Sequence, residues 1–202
     1  MFCLFSIEGS ALSATQMRVD VDPEKSFFLA IARRDGVLSF LAHDHSILAK
    51  KWTAAVCRGD KQAQIKVRIE TNSLVIDTPD ALAKGQVESK ISSSDRNSLQ
   101  EKIMSPRFLN AAEFPQITFE SKSVEKRGAS QWLAKGTLDL HGIQRPVSVL
   151  IRQEGRQIYG DFSIKQSDFG IEPESIAGVV KVRDELEIRF ILAIKSTGAE
   201  CL

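Results

Sequence analysis

The chain has 202 residues, 43% of them hydrophobic and 26% charged, which fits one globular domain and excludes a collagen, a coiled coil or a disordered tail. Lys plus Arg number 27 against 26 Asp plus Glu, so a net charge of +1 leaves no global field to gather nucleic acid or an anionic membrane. Eleven Phe beside one Tyr and two Trp favour apolar interior surface over the amphipathic aromatics of protein interfaces.

Residues 1–16, MFCLFSIEGSALSATQ, start apolar and carry small residues near Ala11 to Thr15. They hold no Lys or Arg, and Glu8 and Gly9 interrupt the apolar run that a signal peptide needs. The remnant of an export signal and a disordered lead-in are both compatible with these residues. The longest uncharged stretch, Gly9 to Met17, is nine residues, short of the roughly 20 that a membrane-spanning helix needs. No transmembrane segment is expected.

From Arg18 onward period two dominates. In chain order the segments that read as strands are Arg18 to Asp22, Ser26 to Arg33, Val37 to Ala42, Ile47 to Val56 and Gln64 to Glu70. They are followed by Gln116 to Val124, Trp132 to Leu140, Val147 to Ile151, Ile158 to Ile164 and Glu185 to Lys195. The alternation is clearest in ELEIRFILAIK, where Leu186, Ile188, Phe190, Leu192 and Ile194 share one face and Glu187 and Arg189 lie on the other. Gln64 to Glu70 repeats it, with Ile65, Val67 and Ile69 opposite Lys66 and Arg68. Turns punctuate these runs, and each of Arg34-Asp35-Gly36, His141-Gly142-Ile143 and Glu154-Gly155-Arg156 supplies a Gly where a tight connection needs positive φ.

One interval departs from this rhythm. Thr78 to Glu113 is too long and polar for a hairpin loop; Ser94 or Asp95 can cap a helix over Arg96 to Met104 that Pro106 ends. Leu99, Ile103 and Met104 give that helix a narrow apolar stripe with which to close over something. Many short strands and one connecting helix predict an all-β fold, a closed antiparallel barrel or a sandwich. Eight strands are just enough to hold one small ligand inside a barrel. A lumen packed solid by the same apolar faces is the plainer alternative.

The chemistry-bearing residues are few. Cys3, Cys57 and Cys201 are odd in number and lack paired spacing, so neither a disulfide framework nor a CxxC site is formed. Unconnected thiols are expected, with a Cys3 to Cys201 bridge as the alternative in an exporting cell. On a strand, His43 and His45 would share a face and could present two imidazoles to one metal or one head group, with Asp44 opposed. A mononuclear metal site needs further ligands, and the only other histidine is His141, in a Gly turn. Metal binding, a head-group role and ordinary turn histidines all stay open.

No G-x-S-x-G elbow is present, and Glu172, Glu174, Asp184 and Glu185 read as solvated charges, so an enzyme is not expected. The basic runs at Lys50-Lys51 and Lys122 to Arg127 are balanced by acids nearby, so no nucleic-acid partner is expected either.

Three segments resemble the YceI-like family, the lipocalin-like polyisoprenoid-binding proteins of bacteria. Asp95 to Ser121 is similar through Phe108-Leu109 and Phe114-Pro115-Gln116-Ile117-Thr118-Phe119. Lys135 to Val149 is similar through Gly136, Leu138, Gly142, Arg145 and Val147, and Gly160 to Val182 through Phe162, Ser167, Phe169-Gly170 and Gly178. With the stretch around Phe40 to Trp52, the resemblance runs from Val19 to Lys195.

It implies an eight-stranded antiparallel lipocalin-like barrel over residues 17–198, with a short helix in a long connection, enclosing an apolar cavity for an isoprenoid, quinone or other amphipathic chain. The implied role is that of carrier, sequestering protein or sensor, with no cofactor beyond such a bound lipid. The lining then comprises Phe40, Ile65, Val67, Ile69, Phe119, Leu138, Leu140, Val149, Phe162, Phe169, Ile188, Phe190 and Leu192, with His43 and His45 at the mouth. The alternatives are a metal-binding or redox-related barrel using His43 and His45, or a structural barrel with a filled core. Family members are often periplasmic, which favours export over a cytoplasmic location, and a homodimer is compatible.

Overall fold

The computed structural model of the chain describes residues 17–35, 43–58, 63–173, 175–176 and 180–200. The proposed lead-in 1–16, the expected strand Val37 to Ala42 with Phe40, and Cys3 and Cys201 lie outside the described residues.

Strands β1 (Met17–Asp35), β2 (His45–Ala49), β3 (Trp52–Arg58), β4 (Ala63–Glu70) and β5 (Leu74–Ile76) come first. Helices α1 (Pro79–Gly85) and α2 (Ser93–Met104) follow. The second half contains β6 (Gln116–Gly128), β7 (Gln131–Leu140), β8 (Ile143–Glu154), β9 (Gln157–Lys165), β10 (Ser175–Ile176) and β11 (Val180–Glu200).

All eleven strands belong to one curled antiparallel sheet in the order β10-β11-β9-β8-β7-β6-β4-β3-β1-β2-β5. It curls far enough for β11 to pair with β1, with Phe28 opposite Phe190 and Ala30 opposite Ile188. Most neighbours in the sheet are also neighbours in sequence, the arrangement that short hairpin turns produce. Between β7 and β8, His141 (φ 56) and Gly142 (φ 71) both take positive φ, as a two-residue type I′ connection requires.

The described strands number eleven, not eight, because local breaks redistribute the expected segments. Arg18 to Asp22 and Ser26 to Arg33 form one strand, β1. Ile47 to Val56 divides at Lys50-Lys51 into β2, which pairs with the second half of β1, and β3, which pairs with its start and with β4. The short β5 adds to β2, and β10 to β11.

There are also two helices where one was expected. Thr78 caps α1, its Oγ1 accepting from the Ala81 N–H at 3.2 Å, and Pro79 occupies the first turn, where no N–H partner is lost. The capping residue of α2 is Ser92, two residues before Ser94 and three before Asp95; its Oγ accepts from the Asp95 N–H at 3.1 Å.

Packing separates an inner from an outer apolar layer. Inside, Phe28, Ala49, Leu74 and Leu192 form one buried cluster, and Phe108, Leu138, Leu140, Ile164, Phe169 and Ile171 form another. Outside, Leu29, Ile31 and Leu48 of β1 and β2 cluster with Ala81 of α1, with Val87 beside it. Ser46 Oγ donates to the Ala81 carbonyl at 2.7 Å and docks that helix. Cys57 is disulfide-bonded, so the expectation of unconnected thiols fails at this residue, and its partner lies outside the described residues.

At one end of the β1/β11 seam Arg33 joins three segments. Its guanidinium donates to both oxygens of Glu187, at 2.9 and 3.2 Å, and to Asp44 Oδ2 at 2.9 Å. The Arg33 hydrogen bond holds the Glu187 carboxyl below its usual range against the opposing effect of burial. Burial pushes Asp44 up, but the Arg34 N–H and Arg33 more than offset it and leave that carboxyl lowered as well.

A carboxyl whose folded pKa is depressed stabilises the fold fully above its unfolded pKa and loses that contribution as pH falls through the folded value. The melting temperature should therefore be level from pH 7 to about 5 and fall below the ordinary Glu value of 4.5. Arg33→Gln should flatten that acid limb in calorimetric scans; an unchanged limb would show that these carboxylates are not the linked groups.

Candidate functional site

The curled sheet encloses a cavity of about 560 Å³. It exists because the strands alternate: in β4, Ile65, Val67 and Ile69 turn inward while Lys66, Arg68 and Glu70 stay in solvent. Val67 lies beside Phe119 of β6, which lies beside Leu138 of β7, so the apolar band crosses strands without a step.

Of the residues expected to line the lumen, Ile65, Val67, Ile69, Phe119, Leu138, Leu140, Val149, Phe162, Ile188, Phe190 and Leu192 do, together with His45. Phe169 does not. It sits 1% exposed in a 3-10 turn, Ser167–Phe169, packed with Phe108 and Ile171 at one end of the core. The turn takes it out of the β9 alternation, so it plugs the end instead of facing the lumen.

The structure adds lining that the strand faces alone did not supply. Phe28 and Ala30 come from β1, Trp132 and Ala134 from β7, and Leu99, Lys102 and Ile103 from α2. Leu99 and Ile103 belong to the stripe expected to close over something, and together with Phe108 and Leu109 from the following turns they contribute to the cavity wall. Gln100 fixes α2 to the sheet edge: its Nε2 donates to the Leu74 carbonyl at 2.9 Å and its Oε1 accepts from the Ile76 N–H at 3.0 Å. The Phe28 signal was present in the sequence, as Phe28-Ala30-Ala32 alternation within Ser26 to Arg33.

Two glycines shape the wall. Gly160 pairs with Phe190, whose ring lies where a Cβ would project, and the Phe119 ring covers Gly136 in the same way. Rings folded over neighbouring glycines lie against the sheet instead of crossing the lumen.

The histidines separate. β2 begins at His45, so His43 precedes the strand and the shared-face expectation does not apply; His43 is exposed. Asp44 turns to Arg33 and Arg34. His141 is held in its turn, with Nδ1 3.1 Å from the Phe169 carbonyl oxygen and its ring edge-on to Phe114 at 4.9 Å. Among the described residues no three His, Cys, Asp or Glu side chains converge on a point that could hold a metal ion.

His45 alone of the three reaches the lumen, and its Nδ1 lies 2.6 Å from Oδ2 of Asp77. Asp77 is 1% exposed, at φ 49, and its other oxygen accepts the Ser46 N–H at 2.8 Å. Sequence reasoning missed Asp77, since nothing near it in the chain marks it as a partner for a residue in β2. Among the described residues no helix is long and apolar enough to cross a membrane.

Comparison with known proteins matches residues 20–194 to the model of a YceI-like domain. A UPF0312 protein of Azotobacter vinelandii is 33% identical over 104 residues, covering 46% of this chain and 54% of that protein. Protein YceI of Salmonella arizonae is 37% identical over 82 residues, covering 41% of this chain and 39% of that one. The chain thus spans about half the length, or less, of these curated relatives. The crystal structure of Burkholderia cenocepacia BcnA is similar with a TM-score of 0.63 and 20% identity, covering 89% of this chain and 100% of that chain. A Campylobacter jejuni YceI crystal structure is similar with a TM-score of 0.55 and 16% identity, covering 74% and 84%. These structural likenesses bear on the fold.

Proposed function

The chain belongs to the family of YceI-like domains, and from that membership we propose that it binds an isoprenoid, quinone-like or other amphipathic chain in its lumen, as a carrier, sequestering protein or sensor. On this reading the barrel wall is the circuit β1-β3-β4-β6-β7-β8-β9-β11, with β2, β5 and β10 appended to it. The observation that carries the reading is the cavity of about 560 Å³ with an almost wholly aliphatic and aromatic lining, within the size range of small-molecule sites. At about 30 Å³ per water-sized group, that space takes roughly twenty methylene-sized groups, the content of a C20 chain.

Burial of each CH₂ stabilises the complex by about 0.8 kcal/mol before the cost of ordering the chain, so affinity needs no charged contact. The filled-core alternative leaves a space of this size unexplained, and among the described residues the metal alternative lacks the converging ligands it needs. A disulfide at Cys57 supports the periplasmic setting, since such bonds persist in oxidising compartments. Native mass spectrometry of protein purified without detergent, followed by organic extraction, is the test. An adduct that extracts as a prenyl or acyl compound of about twenty carbons is expected; a bare chain that also fails to take up an added C20 prenol would overturn the reading.

A further inference from the structure

Among the described residues, and apart from the Trp132 indole, the polar or charged side chains that line the cavity are His45, Lys102, Gln153 and Gln166. Gln166 is engaged, its Nε2 donating to the Arg183 carbonyl at 2.8 Å. Lys102 projects from the exposed helix α2, which leaves it in reach of water. Gln153 Nε2 donates to the Gly155 carbonyl at 3.0 Å, and His45 differs from all three because a fully shielded carboxylate fixes its ring.

Asp77 stands immediately after β5, where the chain turns through φ 49, a left-handed conformation that Asp tolerates better than most residues. One of its oxygens accepts the Ser46 N–H at 2.8 Å, and the other faces His45 Nδ1 at 2.6 Å. The Asp77 side chain has no exposed surface. A carboxylate only accepts, so Nδ1 carries the hydrogen of this bond, and in the neutral tautomer that this bond selects Nε2 is a bare acceptor. Among the described residues nothing donates to Nε2.

We propose that His45 Nε2 anchors the polar end of the ligand, and that the ligand is an uncharged amphiphile bearing a hydroxyl donor, such as a prenol or a hydroquinone. The proposal rests on the lumen-binding reading above and adds the head-group class to it. A hydroxyl donates to Nε2; a methyl ether or a bare hydrocarbon leaves that acceptor unpaired in an apolar wall, and a ketone oxygen sets one lone pair against another. A site built around one buried polar partner discriminates against ligands that cannot complete the bond. If the pair merely tied β2 to the turn after β5, the lumen would not distinguish among these ligands.

The probes are an all-trans C20 prenol, its methyl ether and the parent C20 hydrocarbon, compared by displacement of a fluorescent fatty probe from the full chain. The prenol is expected to bind roughly tenfold more tightly than the ether, the effect of one hydrogen bond. His45→Phe should bind all three alike. Asp77→Asn should abolish the preference for the prenol over its methyl ether: with Oδ1 kept on the Ser46 N–H, the amide Nδ2 donates to Nδ1, moves the ring hydrogen to Nε2 and makes it a donor that hydroxyl and ether oxygens both accept.

Histidine ¹⁵N spectra read the tautomer independently, Nδ1–H in the native chain and Nε2–H in Asp77→Asn. Equal binding of the three probes by the native chain, or an Nε2–H tautomer in it, would overturn the head-group assignment and leave the lumen reading standing. Failure of all three probes to bind the folded protein overturns both. Should Asp77→Asn not fold, His45→Phe and the native tautomer still decide the matter.

Discussion

Phe190→Asp is expected to weaken binding of a C20 prenol by at least about 100-fold, the equivalent of roughly 3 kcal/mol, while Phe190→Leu stays within a few-fold of the native chain. Phe190 stands at the seam where β11 meets β1 and β9: its ring is 5.5 Å from that of Phe28 and covers Gly160. A carboxylate there faces aliphatic and aromatic side chains and finds no cation in the adjoining wall of Phe28, Ile188 and Leu192. It either stays hydrated and draws water into the lumen or becomes neutral, and both cost binding energy. Leucine keeps the apolar surface and gives up only ring volume, a change that cores tolerate at modest cost. Retention of the prenol by a folded Phe190→Asp protein, scored by titration, would remove this face from the binding wall.

Asp77→Ala should lower stability by about 3 to 5 kcal/mol in urea titrations, with a fall in melting temperature of roughly 10 to 15 °C for a chain of this size. Three losses combine. The Ser46 N–H, in a residue with no exposed surface, loses its acceptor. His45 Nδ1 loses its partner, and alanine must take the φ 49 that aspartate tolerates. Asp77→Asn retains an acceptor for Ser46 and the tolerance of positive φ, so about 1 to 2 kcal/mol is expected for it. A loss below about 1 kcal/mol for the alanine variant would mean that water replaces the carboxylate, and that His45 is not held from behind the wall.

Legibility in the sequence differed between the wall and the polar site for a physical reason. Ile65, Val67 and Ile69 in β4, and Ile188, Phe190 and Leu192 in β11, were readable as lining because each strand carries its own alternation, which any apolar interior must use. Phe169 followed the same apolar logic but lies in a 3-10 turn, where period two no longer assigns a face. The pairing of His43 with His45 failed similarly, because the strand that would align them starts at His45. Helix α1 carried a legible start, Thr78-Pro79-Asp80, that the polar character of the long connection obscured.

The amino-acid sequence by itself determined the chemistry of the two sheet faces, the antiparallel all-β class and the family, since alternation and turn residues are local properties. Only the tertiary structure decided how the sheet closes, what covers it and which polar group reaches the lumen. Phe28 meets Phe190 through the β1/β11 pairing of opposite ends of the chain, and His45 meets Asp77 across 32 residues. Register between distant strands and the path of the backbone around a positive-φ residue arise from the whole set of pairings, so no window of sequence contains them.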